Sequence, residues 1–361
     1  MRAPGSGGET RPELGCPGNQ INARQAIGIS MTKSTKDIAI QAELDPAGWR
    51  PEVHTRLREF LRKDSKPGTP VVFDFDNTCI AGDVGELFGH FLVETMRYRY
   101  DLEAFWEQIH RADGRHRLRE ITEEALSLTA AEREESPIYQ RYLAHMAALY
   151  GRRLRRAGKR DCYAWAVRLH LGLTPQQMHA WSREAIAREL RESRRLERYG
   201  TDEDEVVEVS RGIRPLLEMR QLMFTLDQSG FEVWIVSATN VWTVRQFAPY
   251  FGVPAERVLG NRVEVRNGEL TAETIRPALF REGKVEIIEK VIGRTPALVA
   301  GDAVTDFEML GMATEISLVI DRGDKMLRRE AKSQGWLLQP QQELTQESPD
   351  PGDLECLEEK R

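Results

Sequence analysis

A chain of 361 residues with 40% hydrophobic side chains can bury a sizeable core and reads as one catalytic domain carrying an elaboration. Its formal net charge of −6 argues against a general nucleic-acid binder, which turns a basic face to phosphate. No apolar run is long enough to span a bilayer, and Cys16, Cys79, Cys162 and Cys356 form no C-x-x-C pair, so no membrane span, zinc site or disulfide framework is expected and reduced thiols in a cytoplasmic setting fit best.

In chain order, residues 1–45 open with MRAPGSGGETRPELGCPGNQ, rich in Gly and Pro and without the apolar core of a secretory signal; they read as a disordered leader of a non-exported protein. WRPEVHTRLREFLRK then spaces Val53, Leu57, Phe60 and Leu61 as one apolar helical stripe, which KPG ends. TPVVFDF follows, a nearly continuous apolar run that predicts a central strand covered on both faces, as in a parallel sheet.

From Val84 to about Glu197 the periodicity is helical throughout, in VGELFGHFLVETM, DLEAFWEQIHRA, LREITEEALSL, PIYQRYLAHMAALY, DCYAWAVRLHL and TPQQMHAWSREAIAREL. Thr174 is placed to cap the last of these, with Pro175 at its first helical position. A separate helical module over residues 84–205 is expected, between α/β core segments at 46–83 and 206–340.

After TDEDE the rhythm changes to helix (RPLLEMRQLMFTLDQSG), strand (FEVWIVS), helix (VWTVRQFAPYFG), a hairpin turning at Asn267-Gly268, helix (KVEIIEKVIG), strand (TPALVAGD), helix (TDFEMLGMA) and strand (ISLVID). Such alternation predicts a Rossmann-like, doubly wound α/β fold with a parallel sheet. Residues 341–361 are acidic, contain two prolines and show no periodicity, so a flexible tail is expected.

Ligands of such sheets bind beyond the carboxyl ends of the strands, where this chain places Asp74 and Asp76 (FDFD), Ser237 (WIVS) and Asp302 (LVAGD). With Lys284 and Asp306 added, the site would hold carboxylates, a hydroxyl and an ammonium, a set suited to Mg²⁺ and a phosphate. Taken singly each has a plainer reading: a carboxylate pair after a strand can be an Asx-turn, Ser237 an N-cap, Lys284 a solvated charge. Lys284 follows a single glycine and Ala278 stands where a P-loop requires another, so that motif is excluded. No G-x-G-x-x-G follows a predicted strand, which disfavours a dinucleotide site.

The order DFDNT, WIVSA, Lys284, GDAVTD resembles the four motifs of the haloacid dehalogenase superfamily and, more narrowly, its phosphoserine phosphatase-like branch, over roughly residues 69–335. The helical insertion between the first two motifs is similar to that branch's small cap domain. The resemblance implies Asp74 as nucleophile, forming an aspartyl-phosphate, and Asp76 as general acid and then base. It implies Mg²⁺ held by the Asp74 carboxylate, the Asp76 carbonyl and Asp302, with Asp306 orienting the ligands, and Lys284 supplying charge to Asp74 and the phosphate. Ser237 and backbone N–H groups near Asn77 and Ala238 would hold the phosphoryl oxygens, with Thr78 beside them. Asp83 and Glu86 lie where the branch contacts the substrate amine, although Asp83 reads equally well as a helix cap.

Ala238, Ala303 and Thr305 depart from the branch's pattern and leave the amino-acid substrate open. The implied activity is a phosphomonoesterase acting on a small phosphorylated metabolite, phosphoserine-like or phosphocholine-like. A phosphotransferase or a non-catalytic module of the same fold are the alternatives. Tyr98, Tyr100, Trp106, Tyr163, Trp165 and Trp181 could cage a quaternary ammonium or simply pack a core. RRLRRAGKR, residues 152–160, could steer an anion or form a solvated linker. Cys79, beside the acidic pair, is expected to keep a high pKa and not to act as a nucleophile.

Overall fold

The computed structural model describes residues 44–63, 67–200 and 206–349. Most of the expected leader, the TDEDE link and the tail beyond residue 349 lie outside them. Twelve strands are present among the described residues: β1 Pro70–Phe73, β2 Ile80–Ala81, β3 Arg195–Tyr199, β4 Val207–Arg211, β5 Arg214–Pro215, β6 Glu232–Asn240, β7 Val258–Asn261, β8 Val263–Arg266, β9 Glu269–Thr274, β10 Leu298–Gly301, β11 Ile316–Asp321 and β12 Leu337–Pro340.

Six strands form one sheet in the order β12-β11-β10-β1-β6-β7, with every pair parallel. The chain runs outward from β1 to β7 on one side and returns through β10 to β12 on the other. Strand order therefore reverses beside β1, where doubly wound sheets open their ligand crevice. Residues of β1 alternate between two cores: Val71 and Phe73 join one cluster, while Val72 packs with Val299 and Val319 in the other. Burial on both faces explains the unbroken apolar run of the first strand.

Helix Pro51–Arg62 buries Val53, Leu57 and Phe60, as its stripe predicts. The insertion between β1 and β6 contains helices Val84–Glu94, Glu103–Glu107, Arg115–Leu126, Ala130–Glu135, Pro137–Ala166 and Pro175–Arg191. Two expected helices are joined in Pro137–Ala166, interrupted at Gly158, whose φ of 78° breaks the helical path. The basic run there is part of this helix and not a linker, and three of its arginines are paired. Arg156 pairs with Asp113 at 2.7 Å, Arg153 with Asp161, and Arg160 with Glu282 at 2.8 Å.

Three features differ from the sequence reading. The insertion ends in an antiparallel pair, β3 with β4, where helix was expected up to Glu197. Strand β12 was not anticipated; its Gln339 is fully buried, accepting from Arg50 N at 2.8 Å and donating to Gly48 O at 3.0 Å, and Pro340 suits an edge position. Residues 341–347, expected in the loose tail, are packed: Leu344 is buried, Gln346 bridges Leu216, and Glu347 binds Arg220 at 2.8 Å. The hairpin β8–β9 turns at Asn267 and Gly268, both at positive φ, as its Asn-Gly pair predicts. No helix among the described residues is long and apolar enough to cross a membrane.

Candidate active site

Asp74 follows the last residue of β1, and its N–H extends the ladder to Ala300 O at 2.9 Å, which fixes the loop at the sheet's carboxyl rim. One carboxylate oxygen of Asp74 accepts from Lys284 Nζ at 2.6 Å and the other from Thr78 Oγ1 at 3.1 Å. Lys284 Nζ also donates to Asp306 Oδ1 at 2.5 Å. The second oxygen of Asp306 accepts from the N–H of Ala303 at 3.1 Å and of Asp302 at 3.3 Å. This close approach requires Gly301, since a Cβ there would lie 2.7 Å from the Asp306 Cβ. Three separate segments thus converge.

Asp74, Asp302 and Asp306 each bring one carboxylate oxygen within 4.8 Å of the others, and all three are buried. Burial, followed by repulsion from Asp306, pushes Asp74 up to about 7 despite Lys284, because one ammonium is shared by two carboxylates. Burial, with Asp74 and then Asp306, raises Asp302 well above its ordinary range. For Lys284, burial opposes the charge but Asp306 and Asp74 outweigh it and hold its pKa above the usual value. A buried, oxygen-only donor set with more negative charge than its cations neutralise fits a hard divalent cation such as Mg²⁺.

Asp76 is raised well above the normal range, chiefly by burial and then by Asp83 and Asp74, which suits a group that carries a proton. Its oxygens accept from Val84 N at 2.7 Å, Thr239 Oγ1 at 2.8 Å and Ser237 Oγ at 3.1 Å. A cleft of about 690 Å³ opens over these groups, lined by Asp74, Asp76, Asp302, Tyr163, Lys159 and Arg322 among others.

Several expected residues do other work than the motifs imply. Ser237 is fully buried, bonded to Asp76 and accepting from Thr239 N at 3.0 Å. Thr78 is buried against Asp74 and does not line the cleft. Asn77 lines the cleft, but its N–H is already bonded to Gly82 O at 3.0 Å because its φ of 59° turns the chain back. Ala238 lines the cleft, its carbonyl accepting from Asn261 at 2.6 Å.

Asp83 caps helix Val84–Glu94, accepting from Gly85 N at 2.8 Å and Glu86 N at 2.9 Å, and also faces the cleft. Glu86 faces it too; its side chain is reachable from the cleft yet enclosed by protein, and Asp83 followed by burial pushes it up to about 7. Cys79 is fully buried, with its thiol pushed up by burial and then by Asp74 and Asp76, as expected.

Three of the insertion's aromatic residues pack: Tyr100 meets Tyr142 at 2.5 Å between hydroxyls, Trp106 donates to Tyr100 O at 2.9 Å, and Trp181 is covered by Arg97 at 5.1 Å, whereas Tyr98, Tyr163 and Trp165 line a cavity. Two residues escaped the sequence reading. Thr239 stands two places after Ser237, and Arg322 follows β11, reaching Asp302 Oδ2 at 2.9 Å. Arg322 obeys the same strand-end rule that singled out Asp302.

A family model described as haloacid dehalogenase-like hydrolase matches residues 145–311, a span that includes Ser237, Lys284, Asp302 and Asp306 and starts after Asp74. No curated protein matches the chain. A conserved, functionally unknown protein from Anaerococcus prevotii DSM 20548 superposes with a TM-score of 0.73 at 23% identity, over 82% of this chain and 94% of that one. A protein with unknown function from Bordetella pertussis Tohama I gives 0.52 at 17%, over 76% and 100%. A substrate-bound phosphoserine phosphatase complex gives 0.39 at 15%, over 77% and 95%, too low a score to weigh. The first two likenesses bear on the fold, and the match to the haloacid dehalogenase-like hydrolase model takes in three of the four motif segments, those of Ser237, Lys284 and Asp302 with Asp306.

Proposed function

We propose that the chain is a Mg²⁺-dependent phosphatase that hydrolyses a phosphorylated metabolite through an aspartyl-phosphate. The observation that carries this reading is the placement of Lys284 Nζ between Asp74 and Asp306, 2.6 Å and 2.5 Å away, which leaves Asp74 held by both oxygens at the open rim of the sheet. The Asp74 carboxylate attacks phosphorus, the P–O bond to the alcohol breaks, and the departing oxygen takes the proton of Asp76. Water then attacks the acyl phosphate and gives its proton to Asp76, releasing phosphate and restoring the Asp74 carboxylate and the protonated Asp76. The raised pKa of Asp76 supports the first proton transfer. Ser237, Thr239 and Val84 N orient Asp76 for both.

Asp74, the Asp76 carbonyl and Asp302 would hold the metal ion, which when bound offsets negative charge on the phosphoryl oxygens. The helical insertion would serve as a cap that excludes water and selects the leaving group. Hydrolysis of p-nitrophenyl phosphate with and without Mg²⁺, beside Asp74→Asn, tests the reading. Metal-dependent turnover that the variant loses is the expected result. Turnover unchanged in the variant, or none in either protein, would overturn it.

A further inference from the structure

A second cavity, of about 510 Å³, lies within the helical insertion and joins the catalytic cleft, sharing Asp83, Glu86, Tyr163, Ala238 and Thr239 in its lining. Pockets of roughly 300–1,000 Å³ hold drug-sized ligands, so this one is far larger than a three-carbon alcohol requires. Beyond the shared carboxylates its wall sets an apolar stretch, Val93, Met146, Leu149, Trp165, Val167 and Leu169, beside polar groups of His90, Tyr150, Glu208 and Asn240. His170 also lines it, only 4% exposed, stacked beside Tyr98 and Phe88, and its Nδ1 has no hydrogen-bond partner among the described residues.

We propose that this chamber receives the leaving group, and that the substrate is the phosphate monoester of a largely apolar alcohol long enough to pass Tyr163 and reach the walls around His170. The inference rests on the phosphatase reading for its chemistry, but the chamber's affinity for an apolar chain does not. Asp83 and Glu86 stand at the passage between the two spaces, so the phosphate stays over Asp74 while the alcohol extends inward. A small, fully polar alcohol would leave the inner wall uncovered and gain nothing from it.

Gly89 supplies the test. It lines the chamber from helix Val84–Glu94, and a Cβ built there meets only the Tyr98 hydroxyl, at 3.9 Å, so a larger side chain fits the backbone while filling the space. The n-alkyl phosphates from ethyl to octyl are assayed with Mg²⁺, and octyl phosphate and inorganic phosphate are titrated calorimetrically into Asp74→Asn. The expected result is that kcat/KM rises about fourfold per added methylene until the chamber is filled. The octyl-to-ethyl ratio should collapse toward one in Gly89→Leu, a ratio within one protein that is insensitive to the folded fraction.

Turnover of the whole series with no dependence on length would overturn the chamber and leave the phosphatase standing. If no ester is turned over, the phosphatase reading fails. Calorimetry then decides the chamber alone: tighter binding of octyl phosphate than of phosphate, lost when Gly89→Leu is added, supports it, and equal binding overturns it.

Discussion

Asp306 is joined to Lys284 at 2.5 Å with both side chains almost completely buried, and its other oxygen holds the N–H groups of the loop that carries Asp302. The lysine thus ties the loop of Asp74, the proposed nucleophile, to the loop bearing the expected metal ligand.

Replacing Lys284 by Met would leave Asp74 and Asp306 buried without their shared cation. Loss of one partner from a buried ion pair costs about 3–5 kcal/mol, and a loss of that order is expected in urea unfolding of Lys284→Met. Adding Asp306→Asn removes one of the stranded charges, so the double variant should recover a large part of the stability. It should not recover phosphatase activity, because Asp74 still lacks its cation. Equal stability of the single variant and the parent would show that the pair does not hold these loops together.

Arg322 binds Asp302 at 2.9 Å with its side chain nearly half exposed. As a positive charge beside an expected Mg²⁺ ligand it disfavours the metal, while in the cleft it favours an anionic substrate. With the guanidinium half in water, the pair is taken at the roughly 0.2–1 kcal/mol of a solvent-screened one. The Mg²⁺ concentration giving half-maximal activity is therefore expected to fall up to about fivefold in Arg322→Gln, with KM for the phosphoester rising. A magnesium titration of activity at saturating ester reads the first and an ester titration at saturating Mg²⁺ the second; weaker metal dependence with unchanged KM would mean that Arg322 instead positions Asp302.

The parts of this site legible in the sequence were those attached to apolar strands. Asp74, Asp76, Ser237 and Asp302 each end or follow a run whose β-branched and aromatic residues mark a buried parallel strand, and the sheet brings such ends together. Arg322 ends a run of the same kind, yet an arginine after a strand reads as a solvated charge until its partner is visible. The backbone was harder to read. That Asn77 would adopt a φ of 59° and turn its N–H toward Gly82 depends on a local turn that residue types alone do not fix. Strands β3, RLERY, and β4, VEVSR, were missed because each has five residues, most of them polar or charged, too few apolar positions for a period that separates strand from helix end. β12 hides a fully buried Gln339, whose amide is satisfied only by the distant Arg50 and Gly48.

The segment after β12 offers a stability test. Leu344 is buried, Thr345 N donates to Glu218 Oε2 at 2.8 Å, and Glu347 pairs with Arg220. Removing the chain after Glu343 would expose the pocket of one leucine, a loss of about 1.5–3 kcal/mol from burial alone. Glu218, itself buried, would also lose its Thr345 partner. A fall in the thermal midpoint of several degrees is expected. Truncation after residue 349 leaves these contacts in place and is the control; equal midpoints for the two truncations would show that the docking adds no stability.

His170 gives a pH signature of opposite sign to the carboxylates of the site. Burial alone lowers its pKa to about 4, against an unfolded value near 6.5. Between those two values the unfolded chain binds a proton that the folded chain refuses, so folding stability falls as pH drops from about 6.5 to about 4 and levels off below. The full span corresponds to roughly 3 kcal/mol. The raised pKa values of Asp74 and Asp302 act in the other direction, favouring the folded state as pH falls. The clean measurement is therefore the difference between the parent and His170→Phe, in which those groups and His90 cancel. Denaturant unfolding at pH 7 and pH 4.5 should show the variant gaining on the parent at the lower pH. A difference that stays constant across that interval would mean that His170 takes up its proton in the folded chain as readily as in the unfolded one.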